Sequence, residues 1–313
     1  MFAVIPRWGG LLVLTLVVAL APPRESFAQE PTAPEMAFTE VVSVEWISIP
    51  VVVRTGGRYV SDLDRDAFQL YIDGRPVPIE GFEGGPEAPI SLIFLQDLSG
   101  SMALQGKIER SQEAVHRFLA DALDDDQFAM ASFAGSKVEL SVPFTEREDS
   151  LIEAMTSWRG YGKTGIHDAV TWLPEFAAEG RKTRRAAVLL TDGLDNASGI
   201  PADEARLMVA ATEIPVYVLD LSEQSSADEP EIRSPLLALA EVTGGRHLPI
   251  DRDMDLEAVC DRVAHDLRSQ YVLGFATDPS LGKSIHQIEV RVRDGDQVLF
   301  RSEYYGASPH PAS

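Results

Sequence analysis

Three short stretches of this chain are apolar almost throughout: Ile90–Gln96, Ala186–Leu190 and Val216–Leu221. A strand that shows apolar side chains on both faces has to be covered on both faces. Such strands alternating with helices are the pattern of a parallel sheet wrapped by helices. Helical spacing fills the intervals: Lys107–Leu123 carries apolar residues at 108, 115, 118, 119 and 122, and Leu151–Trp158, Ile166–Ala178 and Leu256–Leu267 read the same way. Phe128–Phe133 and Val138–Val142 add two strands. The expected class is α/β, with a doubly wound, mainly parallel sheet over residues 88–269.

Both flanks read as β. In residues 38–85, Val41–Val53 is rich in β-branched residues and Phe68–Ile72 runs into Asp73-Gly74, a hairpin signal. Gly81–Pro89 reads as a Gly/Pro-rich linker. Residues 270–307 hold Tyr271–Phe275, Ile285–Val292, the turn Asp294-Gly295 and Val298–Tyr305, expected as strands and a hairpin. The economical topology inserts the α/β unit into a small β-sandwich-like domain made by both chain ends, with 308–313 as a flexible tail.

The first residues are set apart from this fold. Arg7 precedes the apolar run Leu11–Ala21, and Ser26-Phe27-Ala28 offers small residues for cleavage, so residues 1–28 read as a secretory signal peptide. An uncleaved anchor is the other reading, although the run is short for a membrane span. Residues 29–37 form a polar, Pro-rich linker. Export to the periplasm or beyond the cell, with no membrane span after cleavage, is the expectation. Cys260 is the sole cysteine, so no internal disulfide forms, and its apolar surroundings predict a buried, inert thiol. A net charge of -22, from 49 acidic and 27 basic residues, repels phosphate backbones and excludes nucleic acid as a partner.

Where the first apolar strand ends stands Asp97-Leu-Ser99-Gly-Ser101. Ligands of open α/β sheets bind at the carboxyl ends of strands. A carboxylate and two hydroxyls at alternate positions of one turn offer hard oxygen donors to one pocket. The triplet alone is short, and helix capping also accounts for serines at such a place. Two further segments join it: Tyr161-Gly-Lys-Thr164-Gly-Ile-His-Asp168 before a helix, and Leu189-Leu-Thr-Asp192-Gly193 at the end of another apolar strand.

In this order and spacing the three segments resemble the metal-ion-dependent adhesion site of von Willebrand factor A domains. The stretch Gly57–Gly74, with Tyr271-Val-Leu-Gly-Phe and Tyr304-Tyr-Gly, is similar to the flanks of acidobacterial-type exported proteins of that kind. The resemblance implies a Rossmann-like A domain whose metal is surrounded by Asp97, Ser99, Ser101, Thr164 and Asp192. It implies Mg²⁺, with Ca²⁺ or Mn²⁺ as alternatives, and a protein partner whose Glu or Asp carboxylate completes the sphere. His167, Asp168, Gly193 and Asp195 would stand in the second shell or at the ligand rim.

Other constellations read more simply. Asp251-Arg-Asp253-Met-Asp255 and Asp62-Leu-Asp64-Arg-Asp66 lack the glycine a calcium loop needs, having Leu256 and Ala67 there, and suit capping and turns. The histidines form no zinc pattern, and no G-x-S-x-G or phosphate-binding loop is present. Trp158 and Trp172 flank the Thr164 loop and are expected in the core, the alternative being that one of them lines the site rim. The functional expectation is an exported metal-dependent protein-binding or adhesion module and not an enzyme. Its rival is a structural or assembly subunit of an envelope complex in which the metal mainly stabilises the fold.

Overall fold

The computed structural model describes residues 46–85, 88–193, 195–210, 214–222, 230–250, 255–277, 284–293 and 297–305. The readings of residues 1–45, of Asp251–Asp253, of the Asp294-Gly295 turn and of the 308–313 tail lie outside them. The described chain opens with β1 (Trp46–Thr55), β2 (Arg58–Tyr59), a 3-10 turn at Arg65–Ala67, then β3 (Phe68–Ile72), β4 (Arg75–Val77) and β5 (Gly81–Glu83). Asp73 and Gly74 join β3 to β4 with φ of 50° and 75°, the left-handed pair that a two-residue hairpin demands. β5 falls inside the stretch read as a linker. It is a strand because it pairs with a segment from the far end of the chain.

The α/β unit follows as β6 (Ile90–Asp97), α1 (Lys107–Ala120), β7 (Gln127–Ala134), β8 (Lys137–Thr145), α2 (Glu148–Met155), α3 (Ile166–Val170), α4 (Leu173–Ala178), β9 (Arg184–Thr191), α5 (Ala202–Ala210), β10 (Val216–Asp220), α6 (Pro230–Thr243), β11 (His247–Pro249) and α7 (Leu256–Arg268). The sheet order is β11-β10-β9-β6-β7-β8, parallel throughout except for the antiparallel β7–β8 pair. Alternation along the central strand supplies both faces. Ile90, Leu92 and Phe94 pack with α1, α2 and α7, while Ile93 and Leu95 pack with α3, α4, α5 and α6. The doubly wound α/β class is therefore what the sheet adopts.

The chain returns as β12 (Gln270–Ala276), β13 (Ile285–Val292), β14 (Gln297–Phe300) and β15 (Glu303–Tyr305). Two antiparallel sheets result, ordered β14-β1-β12-β5 with β2 on β1, and β15-β13-β3-β4. Their facing side chains, among them Ile49, Val51, Leu70, Tyr271, Leu273 and Ile288, form a separate core. β5 and β12 lie side by side, Leu273 opposite Phe82, so the α/β unit leaves and re-enters the β unit at neighbouring strands. The hairpin expected from Ile285–Val292 and Val298–Tyr305 is different in detail. Of the two strands after β13, β15 pairs with it, while β14 crosses to the other sheet and pairs with β1. Arg301, 1% exposed between them, marks the corner at which one segment serves two sheets.

His286 fastens the hairpin turn of the β unit. Its Nδ1 lies 2.8 Å from Asp73 Oδ2 and its Nε2 lies 3.0 Å from Ser284 Oγ. Asp73 Oδ1 accepts the Gln287 N–H at 2.9 Å, and the His286 hydrogen bond holds the Asp73 carboxyl below its usual range. The sequence separates these Ser, His and Asp residues too far to suggest such a set. Here the carboxylate is spent on the β13 backbone and the imidazole is buried, as a turn anchor requires.

Two helices depart from their expected bounds for local reasons. The stretch 166–178 is split into α3 and α4, because Pro174 has no N–H to give and its ring would clash with the carbonyl four residues earlier. The split turns Trp172 outward: it is 44% exposed and stacks on Phe176, whereas Trp158 is buried as expected. α2 begins three residues earlier than expected and stops at Met155, where the Thr156 and Ser157 hydroxyls donate back to Glu153 and Ala154 carbonyls. No described helix is long and apolar enough to cross a membrane.

Cys260 faces α1 from α7, 1% exposed, with its thiol against the Ala114 carbonyl. Burial pushes this thiol up to about 12, so no reactive thiolate forms near neutral pH. Iodoacetamide at pH 8 is expected to leave the native protein unmodified by mass spectrometry and to alkylate it completely in denaturant. Alkylation of the native protein at the denatured rate would show the α1–α7 contact to be open in solution.

Candidate metal centre

Three loops meet at the carboxyl end of the parallel sheet, between β6 and β9. The first leaves β6 at Asp97, which is wholly buried. Its Oδ1 accepts the Ser99 N–H at 2.8 Å and its Oδ2 accepts the Thr191 hydroxyl at 2.7 Å, so both oxygens are fixed in direction. Burial pushes the Asp97 carboxyl up to about 6, against the hydrogen bonds from Thr191 and Ser99. At about 1.4 kcal/mol per pKa unit, ionising this carboxyl in the fold is about 3 kcal/mol less favourable than in water, although it remains ionised at neutral pH. Such a carboxylate fits a place where a cation is to come.

Ser99 and Ser101 extend this site outward. Their hydroxyl oxygens lie 3.1 Å apart, and the Ser101 hydroxyl donates to Asp192 Oδ1 at 2.8 Å. Ser99 is 1% exposed and Asp192 7%, while Ser101 is exposed at the mouth. Asp97, Ser99, Ser101 and Asp192 are thereby joined in one hydrogen-bonded set. Its donors are carboxylates and hydroxyls, the hard oxygens that suit Mg²⁺, Mn²⁺ or Ca²⁺. Among the described residues no group of three His, Cys, Asp or Glu side chains gathers as a metal cluster, and half of the joined donors here are serine hydroxyls.

Thr164, 3% exposed, arrives on the loop before α3. Gly162 of this loop accepts the Gly100 N–H at 3.1 Å, and Tyr161 donates to the Leu98 carbonyl at 2.7 Å, which seats the loop on the Asp97–Ser101 turn. Asn196 holds Thr164 from the other side, its Oδ1 taking the Thr164 N–H at 3.0 Å and its own N–H reaching the Thr164 carbonyl at 2.9 Å. Behind it, Gly165 packs directly on the β7–β8 turn: a Cβ there would stand 2.2 Å from the Gly135 carbonyl oxygen. Gly165→Ala is expected to push the Thr164 loop off its seat, destabilise the protein by about 1–3 kcal/mol and weaken divalent-ion binding. Melting and ion titration check this, and a silent substitution would mean that the loop moves freely.

His167, Asp168 and Asp195 turn out to lace loops together. Asp195 Oδ2 accepts the His167 N–H at 2.9 Å and Oδ1 accepts the Ser198 N–H at 3.1 Å; these bonds, with the Ser198 hydroxyl and against burial, keep its carboxyl below the usual range. Asp168 accepts the N–H groups of Gly199 and Ile200, each at 3.0 Å. Gly193 leaves Asp192 with its N–H 3.4 Å from Thr191 Oγ1. The sequence marks Asp195-Asn196-Ala197-Ser198 as a loop-stabilising stretch, which is what Asn196 does here; two contributors, Thr191 and Lys107, carry no such signal. The Lys107 ammonium lies 2.6 Å from Asp192 Oδ2. Its one sequence signal is a cation in the first turn of a helix, where acids are favoured.

The sequence model of the von Willebrand factor type A domain family matches residues 92–194. No curated protein matches the chain. Among solved structures, a von Willebrand factor type A protein from Catenulispora acidiphila is 14% identical with a TM-score of 0.49, covering 84% of this chain and 72% of that one. Proximal thread matrix protein 1 from the mussel byssus, in a structure with a zinc-occupied metal-ion-dependent adhesion site motif, is 18% identical with a TM-score of 0.47. The match covers 57% of this chain, which spans about half the length of the mussel protein (48%). The SpRpn10 A domain is 13% identical with a TM-score of 0.43, covering 56% of this chain and 94% of that domain. The family match runs from β6 to just beyond the end of β9 and contains Asp97, Ser99, Ser101, Thr164 and Asp192: residues 92–194 of this chain carry a von Willebrand factor type A domain.

Proposed function

We propose that this protein is an exported, metal-dependent protein-binding module that captures an acidic side chain of a partner at the Asp97–Ser101 site. The observation that carries the reading is the joined set Asp97, Ser99, Ser101 and Asp192, open to solvent at Ser101, with Thr164 brought in on a separate loop. These residues, with Thr164, would hold a divalent ion, for which Mg²⁺ fits best and Mn²⁺ or Ca²⁺ also fit. Such an ion supplies a local positive charge that a Glu or Asp carboxylate can complete. The chain's own residues fix the donor directions through Thr191 and Asn196 and leave the mouth uncovered.

A chain of net charge -22 repels acidic partners everywhere else. Local sign inversion at the site therefore makes capture selective for a partner whose surface carries an isolated carboxylate. The signal-like residues 1–28 support export to the periplasm or the medium. A binding role is favoured over the rival structural one because Lys107 already neutralises Asp192 within the fold.

The test is retention of partners from the native envelope on immobilised full-length protein in Mg²⁺, followed by elution with chelator. Partners released by chelator and competed by a Glu-containing peptide are expected. Capture that chelator leaves untouched would sink the reading.

A further inference from the structure

Lys107 opens α1 directly after Gly106, which is left-handed (φ 73°) and offers no side-chain cap. The positive end of the helix dipole makes this an unfavourable place for an ammonium. The side chain nevertheless folds back to Asp192, with only 12% of the Lys107 side chain and 1% of the Asp192 side chain exposed. The two Asp192 oxygens are thereby divided. Oδ1 accepts the Ser101 hydroxyl at 2.8 Å and Oδ2 accepts the Lys107 ammonium at 2.6 Å. Asp97 and Asp192 are two buried carboxylates joined through Ser99 and Ser101 in one hydrogen-bonded set. A cation is needed there, and the chain carries one of its own.

We propose that Lys107 is a tethered counter-cation that occupies the charge position of the divalent ion and has to be displaced from Asp192 when the ion binds. This rests on the reading that Asp97, Ser99, Ser101, Thr164 and Asp192 hold a divalent ion. The ammonium keeps Asp192 paired and the loops in place when the ion is absent, so the A domain remains folded. It also lowers the apparent ion affinity, since the competent site is only the fraction from which Lys107 has withdrawn. Ion occupancy thus becomes conditional on free ion concentration rather than permanent.

The test compares full-length wild type, Lys107→Met and Lys107→Arg after chelator treatment, each titrated calorimetrically with Mn²⁺ and Mg²⁺. Methionine keeps an unbranched stem and removes the charge. Lys107→Met is expected to bind at least roughly tenfold tighter, as removal of one close positive charge from a partly buried site implies, and Lys107→Arg to stay near wild type. On wild type itself, acylation of Lys107 by an N-hydroxysuccinimide ester, followed by mass spectrometry, is expected to rise when Mn²⁺ is added. This second readout does not depend on a variant folding. Ion binding by wild type with Lys107→Met no tighter and Lys107 labelling unchanged would overturn the inference and leave the metal site standing. No ion binding by any of the three would overturn the metal site and the inference with it.

Discussion

Asp97→Ala is expected to weaken divalent-ion binding by on the order of a hundredfold or more, because one of the two carboxylate charges at the site is lost. Chelator-sensitive partner capture should disappear with it. The melting temperature of the ion-free protein should move by only a few degrees. Two effects oppose one another there. Removing Asp97 takes away a carboxylate that burial pushes up to about 6. It also leaves the Thr191 hydroxyl and the Ser99 N–H without their acceptor, a cost of roughly 1–3 kcal/mol. Titration calorimetry and thermal melts in chelator measure the two separately. Lost binding with an intact melt agrees with a capture site. A collapse of the fold, matched by chelator treatment of wild type, would instead make the ion a structural staple.

Arg184→Ala should give the largest loss of stability. Arg184 begins β9 and is 1% exposed, and its guanidinium donates to the Arg268 carbonyl at 2.5 Å and the Gly85 carbonyl at 2.6 Å. Gly85 lies between β5 and β6, and Arg268 ends α7 just before β12. One side chain therefore ties both crossings between the β unit and the α/β unit. Burial lowers the pKa of this guanidinium, so its desolvation offsets part of what the two bonds contribute. Hydrogen bonds to charged groups contribute roughly 1.5–3 kcal/mol each, and a net loss of about 2–4 kcal/mol is expected. Calorimetry should show a melt lowered by roughly 5–10 °C, with the two units uncoupling into a broader transition. A shift of a degree or less would mean that the crossings are held by packing alone.

The legible parts of the fold were those with a local pattern. Ile90–Gln96 had to be a central strand, because its side chains are apolar on both faces and only a doubly covered sheet satisfies them. Asp73-Gly74 had to turn, because both positions tolerate positive φ. Asp97, Ser99 and Ser101 were legible because one turn spaces them, and Thr164 and Asp192 because each sits at the end of its own recognisable segment. Pro174 was legible too, and weighing it would have split the helix and turned Trp172 outward.

What the sequence by itself determined is the α/β alternation, the β flanks from both chain ends and which hydroxyls and carboxylates stand on the loops at the carboxyl end of the sheet. Those follow from periodicity and residue chemistry, which act over a few neighbouring positions. The tertiary structure alone decided the rest. It sent β14 to β1 instead of β13, made a strand of Gly81–Glu83, and turned His167, Asp168 and Asp195 into lacing between loops. It also set Lys107 against Asp192, 85 residues away. Such contacts depend on which edge is left unpaired and which charge is left unmatched once the core has closed, and no local stretch of sequence encodes that remainder.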